Sequence, residues 1–156
     1  MQHRHFISVF LLRFNGSDYD VLLGRRAPDK YMGGTWQLIT GAIEPEETAW
    51  QAVLRETREE TGLRVTELFR LSTLTHFYHP DLDALFFGMM FCGFVESGAV
   101  ERLNAEHTAL QWVSFDEARR RLIWAADFTA LDEVQNQIVH DGARKPHLRI
   151  ALPDDS

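Results

Sequence analysis

The chain is predicted to fold as an α/β protein, a sheet covered by helices on both faces. Strand-like runs rich in β-branched and aromatic residues are interleaved with segments of helical period, and capping residues mark the helix ends. No internal repeat or low-complexity stretch interrupts the series. With 156 residues, 45% of them hydrophobic, there is material for one domain with a substantial core, expected over 1–142, with 143–156 as a partly mobile C-terminal extension.

The opening is expected to be antiparallel. His5 to Phe14 and Tyr19 to Arg26 read as strands joined by Asn-Gly-Ser-Asp, in which Asn15 and Gly16 tolerate positive φ. Asp29 to Thr35, with Gly33 and Gly34, reads as a loop, and Trp36 to Thr40 as a short strand ending at Gly41. Thr48 and Gln51 form a capping-box signature and Gly62 stands where a left-handed residue ends a helix, so a helix is predicted from about 48 to 61. Leu63 to His76 and Ala84 to Glu96 are predicted to form a second long hairpin around a His-Pro-Asp turn. Ala109 to Val113 follows as a short strand. Ser114 and Glu117 then open a helix through about Leu122. A last helix is expected from about Phe128 to His140, its stripe of Phe128, Leu131, Val134 and Ile138 facing the core and Gly142 capping it.

Composition excludes several functions. A formal charge of −7 and a pI near 5.4 do not suit a binder of nucleic-acid polymers, which presents clustered Lys and Arg. The start has neither the long apolar stretch nor the cleavage site of a secretory signal, and the apolar run from Ala84 to Val95 is too short to span a bilayer, so a cytoplasmic protein without membrane partners is expected. Cys92 is the single cysteine; it sits in that run and reads as a buried thiol rather than a redox centre.

The segment that speaks about chemistry is GAIEPEETAWQAVLRETREETGL, from Gly41 to Leu63. Glu56, Glu59 and Glu60 crowd onto one turn of the predicted helix, within an arc of about 100° that Ala49 and Ala52 share without blocking it. Like charges at this spacing repel, so the cluster is either dispersed into water or neutralised by a cation. Glu60 borders the apolar face, where a carboxylate gains most from a partner. Oxygen ligands without a nearby Cys favour magnesium, manganese or calcium over zinc.

Gly41, Glu47, Arg55-Glu56, Glu59-Glu60 and Gly62-Leu63 stand at spacings that resemble the Nudix box, the signature of the Nudix hydrolases. Thr57 departs from the pattern, standing where the family usually has an aliphatic residue; its hydroxyl is expected to bond back to the Val53 carbonyl. The resemblance implies an α/β/α sandwich around a mixed central sheet and a magnesium-dependent pyrophosphohydrolase, with manganese as a substitute. It also implies that Glu56, Glu59 and Glu60, with the Gly41 carbonyl, bind the metal. Arg55 is expected to orient Glu56 or Glu47 by a charge-assisted hydrogen bond, the alternative being a surface ion pair with Glu59. Glu44 and Glu46 are expected to be solvated near the helix start.

Outside the box, Thr35 to Gly41 and the pair Glu106-His107 before Trp112 are similar to the branch that contains dihydroneopterin triphosphate and dATP pyrophosphohydrolases. By that resemblance Glu106 supplies a further metal ligand or activates water. Arg25 and Arg26 are candidates for a substrate phosphate, and Trp36 and Gln37 for substrate binding. Phe77 and Tyr78, like Trp36, offer stacking surfaces, with ordinary core packing as the alternative. His76 and His79 are weaker phosphate candidates. The expected substrate is a nucleoside triphosphate or similar organic triphosphate. A nucleotide sugar such as ADP-ribose, to which Pro80 points faintly, and a non-catalytic nucleotide-sensing module stay open, as does a homodimer.

Overall fold

The computed structural model describes residues 1–153. Its strands are β1 (Gln2–Phe14), β2 (Tyr19–Arg26), β3 (Trp36–Gln37), β4 (Ile39–Ala42), β5 (Glu67–His79), β6 (Ala84–Phe94), β7 (His107–Val113) and β8 (Arg149–Ile150). The helices are α1 (Ala49–Thr61), α2 (Phe115–Arg121), α3 (Ala125–Glu133) and α4 (Lys145–Leu148). The sheet runs β3-β2-β1-β6-β5-β8, with β4 paired to β1 and β7 to β2. It is mixed, because β1 pairs parallel with β6 from Gln2↔Ala84 to Leu12↔Phe94 while its other neighbours are antiparallel.

Strand alternation divides the core between two faces. Phe10 and Leu12 of β1, Val21 and Leu23 of β2, and Met90 and Cys92 of β6 pack with Ala118 of α2 and Leu131 of α3. The residues between them, Ile7, Val9, Leu11, Leu22 and Phe91, pack with Ala52 and Val53 of α1 on the opposite face. Helices therefore cover both faces, as expected. Cys92 is fully buried, and burial raises the pKa of its thiol.

Several boundaries differ from the sequence reading. β1 starts at Gln2 rather than His5 because the parallel ladder with β6 continues to the chain start. The run Trp36 to Thr40 splits into β3 and β4, which serve different partners, β2 and β1. Leu63 and Val65 are buried in the α1-side core before β5 begins, so their hydrophobicity marks packing and not a strand. The last helix starts at Ala125, and its second half, Val134–Val139, is a π-helix closed by the Gly142 N–H on the Gln137 carbonyl at 3.1 Å. Within the described part of the expected extension, 143–153, α4 puts Leu148 into the core and β8 pairs with Leu68 and Phe69 of β5; 154–156 lie outside the described residues.

One irregularity shapes the site. β5 bulges between Arg70 and Leu74, where four residue steps face two of β6. The buried Glu133 carboxylate of α3 accepts the N–H groups of Ser72 and Thr73 at 2.8 and 3.1 Å, and Arg144 stands 3.3 Å away. Backbone donors at the bulge are thus satisfied by a charge from α3, which clasps this helix to the half of β5 that carries Phe77 and His79.

Candidate active site

A cleft of about 500 Å³ opens between the sheet, α1 and the start of α3. Glu56 and Glu60 of α1, Gly41 of β4, Arg26 of β2 and Glu106 line one end. Thr48 caps α1 through the box read from the sequence, and Gly62, at φ 73°, ends the helix with its N–H on the Arg58 carbonyl. These two caps fix the phase of the helix, and with it which carboxylates face the cleft. Gly41 is required for space: a Cβ there would lie 2.6 Å from Glu56 Oε1 and closer still to its carbons.

Arg55 is the organising cation. Its Nε and Nη2 donate to the two Glu47 carboxylate oxygens at 2.8 and 2.9 Å, its Nη1 to Glu56 at 2.8 Å, and its Nη2 also to the Ala42 carbonyl at 2.9 Å. The exposed Glu59 carboxylate accepts from Nη1 as well, at 3.2 Å, and Glu44 lies 3.5 Å off. Both anticipated geometries therefore coexist, with the shorter bonds going to the more buried carboxylates. The Arg55 hydrogen bond lowers the Glu47 pKa, and Glu47 in turn holds Arg55 protonated.

Glu60 is 5% exposed, and its Oε2 is sealed from solvent with no hydrogen-bond partner. Burial, then the neighbouring charge of Glu56, pushes its pKa up to about 9, with Arg26 opposing. Two adjacent carboxylates with an orphaned oxygen make a site that a hard divalent cation would satisfy, and the oxygen-only donor set fits magnesium or manganese. Glu59 is turned to Arg55 and does not line the cleft. Among the described residues no three His, Cys, Asp or Glu side chains close around a single point. Glu106 sits half-exposed at the rim, 3.6 Å from Lys30 Nζ, its loop set by its N–H on Asn104 Oδ1 at 2.9 Å. The adjoining His107 is buried against Gly24, where a Cβ would come within 2.6 Å of His107 Nε2.

The other end of the cleft is aromatic. Phe77 stacks on Phe86 at 5.0 Å and on Trp124 at 5.1 Å, and Tyr31 lies parallel to Phe77 at 5.7 Å. Gln37 braces this end: its Oε1 accepts the Trp124 indole N–H at 2.9 Å and its Nε2 donates to Thr35 at 2.8 Å. Asp127, 4% exposed, completes it. Trp124, Tyr31 and Asp127 escaped the sequence reading. Asp127 lies just before the helix start expected at Phe128, and its capping relation to Trp124 is the one signal in the sequence that points to it.

Five expectations need correction. Arg25 and Trp36 are cross-strand partners and so share a face, which is the one away from the cleft; Arg25 Nε donates to the Gly34 carbonyl at 3.1 Å and Trp36 lies under Arg121. Arg26 and Gln37 occupy the cleft instead. Tyr78 and His76 alternate away from Phe77, and Tyr78 donates to Asp83 at 2.8 Å. The Thr57 hydroxyl makes no bond to Val53: it is buried without a partner.

The arrangement matches known proteins. A model of the NUDIX domain covers residues 1–134. An octanoyltransferase of Myxococcus xanthus is 37% identical over 120 residues, 74% of this chain but only 32% of that protein, so the chain spans about a third of this relative's length. A CTP pyrophosphohydrolase of Escherichia coli is 29% identical over 126 residues, covering 74% of this chain and 82% of that one. A solved NUDIX hydrolase structure from Listeria monocytogenes superposes with a TM-score of 0.74 at 22% identity, covering 95% of this chain and 99% of that one, which speaks for the fold. The box from Gly41 to Leu63, the sheet topology and the matched domain agree, and the chain belongs to the Nudix family.

Proposed function

We propose that the chain is a divalent-metal-dependent pyrophosphohydrolase that cleaves a nucleoside triphosphate or a similar organic triphosphate to its monophosphate and pyrophosphate. One observation carries this reading: a single cleft joins a carboxylate-lined end to an aromatic end, with Arg26 and Glu60 on the same wall. Such a cleft suits a ligand that is polyanionic at one side and flat at the other. The pyrophosphohydrolase name of the E. coli relative supports the reaction class.

A bound magnesium or manganese ion supplies charge neutralisation on phosphate oxygens and an activated water. Glu56 and Glu60 would hold it, with the Gly41 carbonyl. Glu59 would join them by leaving Arg55, at a cost under about 1 kcal/mol for so exposed an ion pair. Arg55 stays off the substrate and orients Glu56 through its Nη1 hydrogen bond. Arg26, 3.4 Å from the Thr40 hydroxyl, reaches a phosphate oxygen, and Glu106 accepts the proton of the attacking water.

The test is a panel of nucleoside triphosphates, a pterin triphosphate and ADP-ribose in magnesium, with products identified. Release of inorganic pyrophosphate supports the proposal. Two phosphorylated organic fragments from ADP-ribose, with triphosphates untouched, would replace it by the nucleotide-sugar reading.

A further inference from the structure

Asp127 is a buried carboxylate that the hydrolytic chemistry leaves without a task. It lines the cleft at the aromatic end, away from Arg55 and its partners. Its Oδ2 accepts the backbone N–H of Trp124 at a long 3.3 Å, and no other donor reaches the carboxylate among the described residues. A helix-capping role alone accounts for neither the burial nor the position. Exposed caps perform as well, and a charged group taken out of water with one weak hydrogen bond costs free energy. Its second oxygen is not among the buried atoms that lack a partner, so it has access to the cleft. The Trp124 indole is held beside it by the hydrogen bond from its N–H to Gln37 Oε1 at 2.9 Å.

We propose that Asp127 is a specificity residue that accepts two adjacent N–H groups from the edge of a ring held beside Trp124 and Phe77. This deepens the triphosphate reading and rests on it. An ionised carboxylate has only acceptors, so it matches a ring edge that presents two neighbouring donors. The 2-amino-4-oxopyrimidine edge does so through its ring N–H and its 2-amino group, and guanine and the pterins share it. Adenine and cytosine place a ring acceptor beside their amine, which would face the carboxylate with repulsion. The pKa of Asp127, raised by burial to about 6, leaves it ionised at neutral pH.

Titration calorimetry of the whole chain with guanosine, inosine and adenosine monophosphates and with neopterin monophosphate tests this without any hydrolysis. Inosine monophosphate lacks only the 2-amino group, so it should bind about ten- to a hundredfold more weakly than guanosine monophosphate, the loss expected for one hydrogen bond to a charge. The guanosine and neopterin arms tell a nucleotide from a pterin. In Asp127→Asn the guanosine-over-inosine ratio should fall toward one, a change a purely capping aspartate would not produce. Equal binding of the guanosine and inosine compounds, preference for adenosine, absence of binding by both the guanosine and the neopterin compounds, or an unchanged ratio in Asp127→Asn overturns the assignment. Triphosphates that resist hydrolysis while this binding order holds would refute the reaction and leave Asp127 its role.

Discussion

The two ends of the cleft are built in opposite ways. The carboxylate end draws Glu56 and Glu60, and the arginine that steadies Glu56, from consecutive turns of one capped helix. The aromatic end gathers Tyr31, Phe77, Gln37, Trp124 and Asp127 from a loop, two strands and the start of α3. A single helix fixes chemistry by local spacing, whereas the second end depends on the pairing of β5 with β6 and on the Glu133 clasp at the bulge. Reaction and recognition are thus carried by parts that can change independently, and substitutions at the two ends should have separable effects.

The largest expected effect lies at the carboxylate end. Glu60→Gln keeps shape but removes the charge that a cation would meet beside Glu56, and activity in magnesium should fall by at least about a hundredfold. Because Glu60 is buried with a raised pKa, losing its acidity relieves desolvation, so the melting temperature should not drop. Kinetics and a thermal melt on one preparation check both; loss of activity together with unfolding would remove the case for Glu60 as a ligand.

At the aromatic end the sign of stability should show itself through pH. The Asp127 pKa rises from 3.8 to about 6 on folding, with burial as the cause. A raised acid pKa favours the protonated form, so its contribution to stability is complete below 3.8 and is lost as the pH climbs through about 6. Asp127→Asn should therefore be more stable than the parent by about 2 to 3 kcal/mol above that range and no more stable near pH 3.5. Urea denaturation at the two pH values measures this. A variant that gains stability while losing base discrimination would mark a site where recognition is kept at the expense of folding.

How much of this the sequence disclosed follows the same division. Glu56, Glu59, Glu60, Arg55 and both caps of α1 are legible because a helical period converts positions into neighbours without long-range information. Even there, spacing alone did not tell that Glu59 faces Arg55 in this structure rather than the cleft. The sheet's two covered faces were readable from alternation, but the parallel β1 and β6 ladder joins residues about eighty positions apart and was not legible; family likeness implied only that the sheet is mixed. Arg25 and Arg26 are successive residues of β2 and so point to opposite faces; the arginine pair alone does not say which face meets the cleft, and a one-residue step changes the answer. Phe77 was singled out together with Trp36 and Tyr78 because aromatic type does not encode which face a strand presents.

Arg55→Lys should have a smaller effect than Glu60→Gln. Lysine retains the charge and loses the planar fork that binds both Glu47 oxygens and Glu56 together, so Glu56 is less well aimed. A fall of about tenfold in kcat with KM nearly unchanged is expected, since Arg55 does not reach the substrate. A rise in KM at constant kcat would show that the side chain contacts the ligand directly.

The smallest change concerns the one place where the box departs from its family. Thr57 is fully buried on the packed face of α1, and its hydroxyl is without a partner. Valine has nearly the same shape and no polar atom to desolvate, so Thr57→Val should stabilise the fold by about 1 kcal/mol. It should leave kcat/KM for any substrate unchanged, because Thr57 does not line the cleft. Chemical denaturation and steady-state kinetics give the two readings. Destabilisation by valine would mean that the hydroxyl finds a partner in solution; altered kinetics would mean that packing beneath α1 is transmitted to Glu56 and Glu60, joining the helix's two faces in one function.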